Sequence, residues 1–352
     1  MGETEPTDTD QHGGAAVMRD VARMAGVSKQ TVSRVLNGSP AVRPETRTRV
    51  LAAVAELGYL PNQAARALTT GESRTIGVIA YDVADFGPAN VVQGIALAAQ
   101  ETGYMVSVAP MRSLGALPVR EAANRLLERS VDGLITIAPH RDIAEALLDL
   151  PRKVPVVAVD ASLDPRVPVI AAEQLEGSRR ATEQLLHLGH RTVHHLAGPR
   201  GWIASGLRRD GWLAALVAAG APVPEPLVGD WTAASGYELG RVLATDPEVT
   251  AVHAANDQMA VGLLRALYES GRRVPEHVSV IGFDDVPEAA YTIPPLSTVR
   301  VNFADIGRRC ISVLVEQLRG GATGRPLRPW LLPTELVVRA STGRPPAAQD
   351  GP

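Results

Sequence analysis

A single cysteine, Cys310, in 352 residues excludes an internal disulfide and suits a reducing, cytoplasmic compartment. It lies among Ile306, Ile311 and Leu314, with no flanking group to activate a thiolate, so packing is its expected role. No stretch approaches the ~18 uninterrupted apolar residues of a membrane span, and no membrane partner is expected. Met1 to Gly14 are acidic and polar, unlike an export signal, and 1–16 read as a disordered tail. A Walker loop and a G-x-S-x-G elbow are both missing, leaving no motif for an enzyme and none that calls for a cofactor. Beyond Arg339 there are no leucine heptads, and the stretch through Pro345-Pro346 reads as a second disordered tail over 343–352. What is present is 45% hydrophobic residues and a length that allows two or three domains.

Between Arg19 and Gly38 the chain reads RDVARMAGVSKQTVSRVLNG, which predicts two short helices joined by a turn. Val21, Ala22 and Ala25 share one helical face, and Val32, Val35 and Leu36 share a face of the next segment. Gly26 suits the tight turn, and Ser28 is an N-cap that starts the second helix at about Lys29. With Val32, Val35 and Leu36 turned inward, Lys29, Gln30, Ser33, Arg34 and Asn37 point outward. Arg can bridge guanine O6 and N7 and Gln can pair with adenine, so this face suits a major groove. An ordinary helical hairpin with a solvated face is the alternative.

The following residues favour the groove reader. Pro44 opens a third helix whose Val50, Leu51, Val54 and Leu57 are expected to cap the first two, ending at Gly58. Charge is concentrated there too: residues 17–70 carry eight Arg or Lys against three acids, +5, leaving −8 elsewhere in a chain of net −3. Tyr59 to Leu68 could form a short helix, too short to be stable alone in water.

From about Arg74 the pattern changes to α/β. Thr75–Ala80, Tyr104–Ala109, Asp132–Ala138, Val154–Asp160 and Val167–Ala171 read as buried strands with helices between, and the alternation restarts at Thr192–Ala197, Thr250–Ala255 and His277–Asp284. That predicts two parallel α/β lobes with a cleft between them. Ligands bind beyond the carboxyl ends of such strands, where Asp160, Asn256 and Asp284 fall.

VARMAGVSKQTVSRVLNG followed by LGYLPNQAARAL resembles the headpiece of the LacI/GalR family of bacterial transcriptional repressors. LAGP (196–199), GDWTAASGY (229–237), ANDQMA (255–260), VSVIGFDD (278–285) and IPPLSTVR (293–300) extend the likeness over about 17–342, toward the lactose-responsive branch. The resemblance implies an all-α helix-turn-helix headpiece (17–61), a hinge helix and linker (62–73), and a two-lobed periplasmic-binding-protein-like parallel α/β core (74–342). In that core the first lobe holds about 74–172 and 302–331, and the second about 173–301 and 332–342. It further implies operator DNA contacts from Ser28, Lys29, Gln30, Thr31, Ser33, Arg34 and Asn37. Asn62, Ala65 and Leu68 belong to the implied hinge, Leu68 as a minor-groove wedge; an ordinary core leucine is the alternative. The implied effector is a sugar, favouring a galactoside-like pyranoside, held by Asp160, Arg208, Asn256 and Asp284 with Trp231 and Phe303 as aromatic walls. Without the lactose branch's tetramer-forming tail, a homodimer is expected.

Each cage residue has a plainer role. Asp160 or Asp284 could cap a helix, Arg208 could pair with neighbouring Asp210, and Trp231 could be core. The sequence also departs from the branch at Gly206, where a larger basic residue stands, at Val301, where a glutamine stands, and over residues 82–86. The ring-binding end is thus retained while the other end of the cleft is altered. Asp284-Asp285 as glycosidase acids fail if adjacent strand residues face opposite sides. His187, His190, His194 and His195 are the dense histidine group, but helix-end and strand positions diverge and no Cys or paired acid completes a metal site. The remaining rivals are a regulator of the same type answering to a corepressor or partner protein, and a sugar-binding transport protein, which would lack the basic headpiece.

Overall fold

The structure, a computed structural model, describes residues 16–36, 38–60, 71–81, 85–111, 113–147, 154–161, 164, 166–320 and 329–346. Asn37, Asn62, Ala65 and Leu68 lie outside the described residues, as do residues 61–70 and most of both expected tails. The chain forms two compact units, Met1–Ser73 and Arg74–Pro352.

The first unit holds α1 (Met18–Met24), α2 (Lys29–Leu36) and α3 (Pro44–Glu56) around Val21, Ala22, Ala25, Val32, Val35, Val50, Ala53 and Tyr59. Gly26 takes φ +60°, and the Ser28 hydroxyl accepts from Thr31 N–H at 3.2 Å, so turn and cap form as the residue types dictate. Pro44 sits in the first turn of α3. One expectation fails: Leu51 is 49% exposed, and Ala53, three residues after Val50, fills the inner face instead. Val54 and Leu57 pack at the margin of this core.

The second unit contains, in chain order, β1 (Thr75–Tyr81), α4 (Phe86–Glu101), β2 (Met105–Met111), α5 (Ala116–Glu128), β3 (Gly133–Ile137), α6 (Arg141–Ala146), β4 (Val156–Val159) and β5 (Val169–Ala172). Then follow α7 (Gln174–His187), β6 (His194–Ala197), α8 (Ile203–Ala218), β7 (Leu227–Val228), α9 (Ala233–Ala244), β8 (Ala251–Ala254), α10 (Asp257–Glu269), β9 (Ser279–Ile281), β10 (Thr298–Arg300), α11 (Phe303–Leu318), β11 (Trp330–Leu332) and β12 (Glu335–Val337). A six-stranded sheet runs β11-β5-β4-β3-β1-β2 and a four-stranded sheet β7-β6-β8-β9, all pairs parallel. The chain leaves the first sheet after β5, returns through α11 and β11, and leaves again through β12, which pairs antiparallel with β10. Three crossings between the lobes result.

Helices pack in pairs through glycine. A Cβ at Gly211 would overlap the Leu175 carbonyl, one at Gly307 the backbone of Gly94, and one at Gly262 the Ala233 carbonyl, so α7/α8, α4/α11 and α9/α10 touch backbone to backbone. These crossings fix where each helix starts, and the helix starts build the cleft.

Candidate functional site

The carboxyl ends of β3, β4, β8 and β9 and the N-terminal ends of α4, α7, α8, α9, α10 and α11 converge on a cleft of about 290 Å³ between the two lobes. All six residues expected at the effector site line it: Asp160, Arg208, Trp231, Asn256, Asp284 and Phe303. A depression of about 1040 Å³ near Thr192, Asp246 and Pro345 lies by the amino-terminal ends of β6 and β8, away from the carboxyl ends where the polar groups gather.

Arg208 is the centre of the polar end. Its Nε donates to Gln174 Oε1 at 2.8 Å, one terminal nitrogen donates to Asp284 Oδ1 at 2.8 Å, and the other donates to the Ala255 carbonyl. The guanidinium lies 3.8 Å over the Phe283 ring centroid. Three of its five N–H groups are therefore spent on holding it still, leaving two for a ligand. The neighbouring Asp210 pairs with Arg209, not with Arg208.

Asp284 has φ +104° and Asp285 φ +56°, so the two carboxylates diverge at a left-handed turn. Alternation along a strand was the expected cause, but β9 stops at Ile281. Asp285 instead accepts from Arg300 and Arg339, both at 2.7 Å. The paired-acid geometry of a glycosidase is absent at this position.

Asp160, at φ +72° just past β4, has no hydrogen-bond donor among the described residues. Desolvation in the cleft raises its pKa to about 6, opposed by Arg208 and aided by Asp284. Burial likewise pushes the Asp284 carboxyl above the ordinary range against the pull of Arg208. Asn256, not an aspartate, is the helix cap: its Oδ1 accepts from Met259 N–H at 3.0 Å, and its Nδ2 donates to the Trp231 carbonyl at 2.9 Å. Much of its amide is thus committed to positioning Trp231.

Trp231 sits at φ +74° with its indole 5.7 Å from the Arg208 guanidinium, and its buried Nε1–H has no partner among the described residues. The Gln258 Oε1, in the same lining, is also buried and unpartnered. Phe303 meets Phe86 edge-on at 5.7 Å. Of the departures from the branch, Phe86 lines the cavity, whereas Gly206, where a Cβ would meet nothing within 4 Å, and the buried Val301 are outside its lining.

The sequence reading does not single out Gln174, Gln258 or Trp202 for this lining, and reaches Phe86 only as part of the divergent segment 82–86. Gln174 and Trp202 follow β5 and β6, beyond the carboxyl ends where ligands of parallel sheets bind, which is the signal that points to them. Cys310 is buried with its thiol pushed up by burial, consistent with packing. His190 is engaged by Thr250, Ser279 and the Gly343 carbonyl, while His195 stacks on Trp212 at 5.3 Å beside a buried His253 that the sequence did not flag. No group of three metal-ligating side chains forms among the described residues.

In the first unit, Ser28, Lys29, Gln30 and Arg34 are exposed on or beside α2, while Thr31 and Ser33 are half-buried. Gln30 and Arg34 are one turn apart on the same face. No helix among the described residues is long and apolar enough to cross a membrane.

Comparison with known proteins agrees with both parts. Residues 17–62 match the family model for bacterial regulatory proteins of the lacI family, and residues 182–342 match a periplasmic binding protein-like domain. The regulator CelR of Thermobifida fusca is 37% identical over 332 residues, covering 91% of this chain and 96% of that protein. The lactose operon repressor of Escherichia coli K12 is 36% identical over 328 residues, covering 93% and 90%. The crystal structure of the lac repressor dimer bound to operator and the anti-inducer ONPF superposes with a TM-score of 0.84 at 35% identity, covering 94% of this chain and 100% of that one. A CelR–cellobiose complex gives 0.69 at 34% identity, covering 93% and 99%. These similar proteins are transcriptional regulators rather than enzymes, and the chain belongs to the LacI family of bacterial transcriptional regulators.

Proposed function

We propose that the protein is a homodimeric repressor that holds a near-palindromic operator and releases it when a sugar, a galactoside-like pyranoside by likeness to the lactose branch, occupies the cleft. The observation that carries this reading is the convergence of Asp160, Arg208 and Asp284 with Trp231 and Phe303 on one cavity. Sugar hydroxyls donate and accept at once, so they need fixed carboxylates and a guanidinium beside an apolar ring face. The relatives support the same reading, since the solved complexes hold cellobiose in one case and ONPF in another. Residues 17–61 act as the DNA-reading headpiece, 62–73 as the hinge and linker, and 74–342 as the effector-binding and dimerisation core, with 1–16 and 343–352 as tails. Calorimetry with a panel of galactosides and other sugars tests the assignment; a regulator answering to a partner protein would give no heat with any of them.

Protonation supplies a second test. A hydroxyl that donates to Asp160 favours the ionised carboxylate, so binding lowers a pKa that stands at about 6 in the free protein. Effector affinity is therefore full above that pH and falls as pH drops through it, by about tenfold between pH 7 and 5. Calorimetry near pH 6 in buffers of different ionisation heat should register proton release. Asp284 can add to the slope, so Asp160→Asn separates the two by flattening its own share. A profile flat from pH 7 to 5 in the parent protein contradicts the placement of a hydroxyl on Asp160.

On the DNA side, Lys29, Gln30 and Arg34 enter successive major grooves from the two subunits, and residues around Asn62, Ala65 and Leu68 order as paired hinge helices whose wedge kinks the central step. Arg34→Ala is expected to cost about 1–3 kcal/mol and to relax preference at one operator position, measured on a panel of single-base operator variants. A uniform loss on all sequences would make Arg34 a phosphate contact.

A further inference from the structure

We propose that the cleft contains a second subsite walled by Trp202, outward of the polar clamp, and that the effector is a two-ring glycoside. This rests on the sugar reading above and specifies its size and shape. Aromatic groups run away from Arg208 in steps. Trp231 lies 5.7 Å from the guanidinium, Trp202 lies 6.0 Å from Trp231 with the ring planes 77° apart, and beyond it stand Tyr81 at 6.0 Å and His140 at 6.4 Å. Both tryptophans line the same cavity as Asp160, Arg208 and Asp284.

A single pyranose gripped by those polar groups has Trp231 as its apolar wall. It leaves the part of Trp202 that lines the cavity uncovered, although an indole in a binding cavity is a large apolar surface suited to a second ring. Because the two indoles are nearly perpendicular, the second ring must be turned relative to the first. A glycosidic linkage permits that rotation, and a fused bicyclic ligand does not.

Trp202 is also held in place from the opposite lobe. Its neighbours exchange backbone hydrogen bonds with the loop after β3: Arg141 N–H donates to the Gly201 carbonyl at 3.2 Å, and Ile203 N–H donates to the Pro139 carbonyl at 2.9 Å. His140 and Trp202 form the bridge between them. Gly201 takes φ +83°, and a Cβ there would overlap the His140 ring, so the close approach requires glycine. The platform is thus fixed before a ligand arrives, which lowers the entropic penalty of binding against it.

The test pairs each methyl β-pyranoside with its disaccharide, methyl β-galactoside with lactose and methyl β-glucoside with cellobiose, and measures dissociation constants by calorimetry on the full-length protein. For the pair that binds, the disaccharide should bind the parent about tenfold more tightly than the methyl pyranoside. Trp202→Ala should remove that advantage while leaving methyl pyranoside binding within about twofold, and retained binding of the smaller ligand shows that the variant is folded. Trp202→Tyr, which keeps a flat face, should recover most of the advantage even if the alanine variant fails to fold. Equal affinity of both ligand sizes for the parent overturns the subsite, as does an equal loss of both, or of neither, in Trp202→Ala and Trp202→Tyr. Absence of heat from every saccharide with the parent protein would instead remove the sugar reading itself, and the subsite with it.

Discussion

Asp284→Ala is expected to abolish effector binding, by at least about 100-fold, while the protein still holds its operator. Asp284 accepts from Arg208 at 2.8 Å, and both side chains are almost fully buried. Removing the carboxylate takes away a ligand acceptor and also strands a guanidinium whose remaining partners are the Gln174 amide and the Ala255 carbonyl. Breaking a buried pair in this way typically costs about 3–5 kcal/mol, so the variant should also melt earlier than the parent. Asp284→Asn preserves shape and one acceptor and should fold better while still losing most of the affinity. Calorimetry reads the effector side and operator binding below the melting transition reads the other. Persisting heat with sugar in Asp284→Ala, or loss of DNA binding in a folded variant, contradicts the placement of Asp284 at the centre of the effector site.

The second large effect concerns stability and comes from Gly262→Ala. Helix propensity alone favours alanine by about 1 kcal/mol. The site does not: a Cβ at Gly262 would overlap the Ala233 carbonyl and lie 2.5 Å from the Tyr237 amide nitrogen, both backbone atoms that no rotamer change can move. α9 and α10 must then separate, loosening Met259, Leu263 and Leu267 in the second-lobe core. Overpacking of this kind costs about 1–3 kcal/mol and occasionally more, and contact with backbone on both sides places this position at the upper end. At about 2–4 °C per kcal/mol, thermal unfolding should shift down by several degrees. Gly206→Ala is the internal control, since a Cβ there meets nothing within 4 Å; it should melt at or slightly above the parent. Equal melting of Gly262→Ala and the parent would show that the helix crossing yields more easily than its geometry allows.

Much of this architecture was legible because buried parallel strands read as short Val- and Ile-rich runs, as in β1, β3 and β4. Expected strands ran long at Val154 and Val167, which pack against the core before pairing begins, and at Thr192 and His277, which instead make exposed hydrogen bonds to the Pro222 carbonyl and from the Arg273 amide. The expected β2 stopped short of Pro110, which the structure accommodates because β2 is the outermost strand of its sheet. β7, β10, β11 and β12 are two or three residues long and gain their extended form from partners distant in sequence, so no local pattern announced them.

For the cleft, the strand-end rule pointed to Asp160, Asn256 and Asp284, but Arg208, Trp231 and Phe303 came from family likeness alone. What neither supplied was the division of labour among them. Asn256 spends its amide on the α10 cap and on Trp231, a commitment set by tertiary contacts. Trp202 escaped notice because its importance depends on Trp231, 29 residues on within the same lobe, and on His140 of the other lobe, neither of which a local pattern connects to it.

Operator binding with and without sugar shows whether headpiece and cleft share one energetic linkage. A near-palindromic duplex selected by the protein from a random pool is compared with a scrambled duplex at moderate ionic strength, each titrated in the absence and presence of a saturating pyranoside. The palindrome should be held at least about 10³-fold more tightly than the scrambled duplex, and sugar should weaken that preference by about 5- to 150-fold. Equal binding of both duplexes, unchanged by every sugar tried, would contradict that linkage.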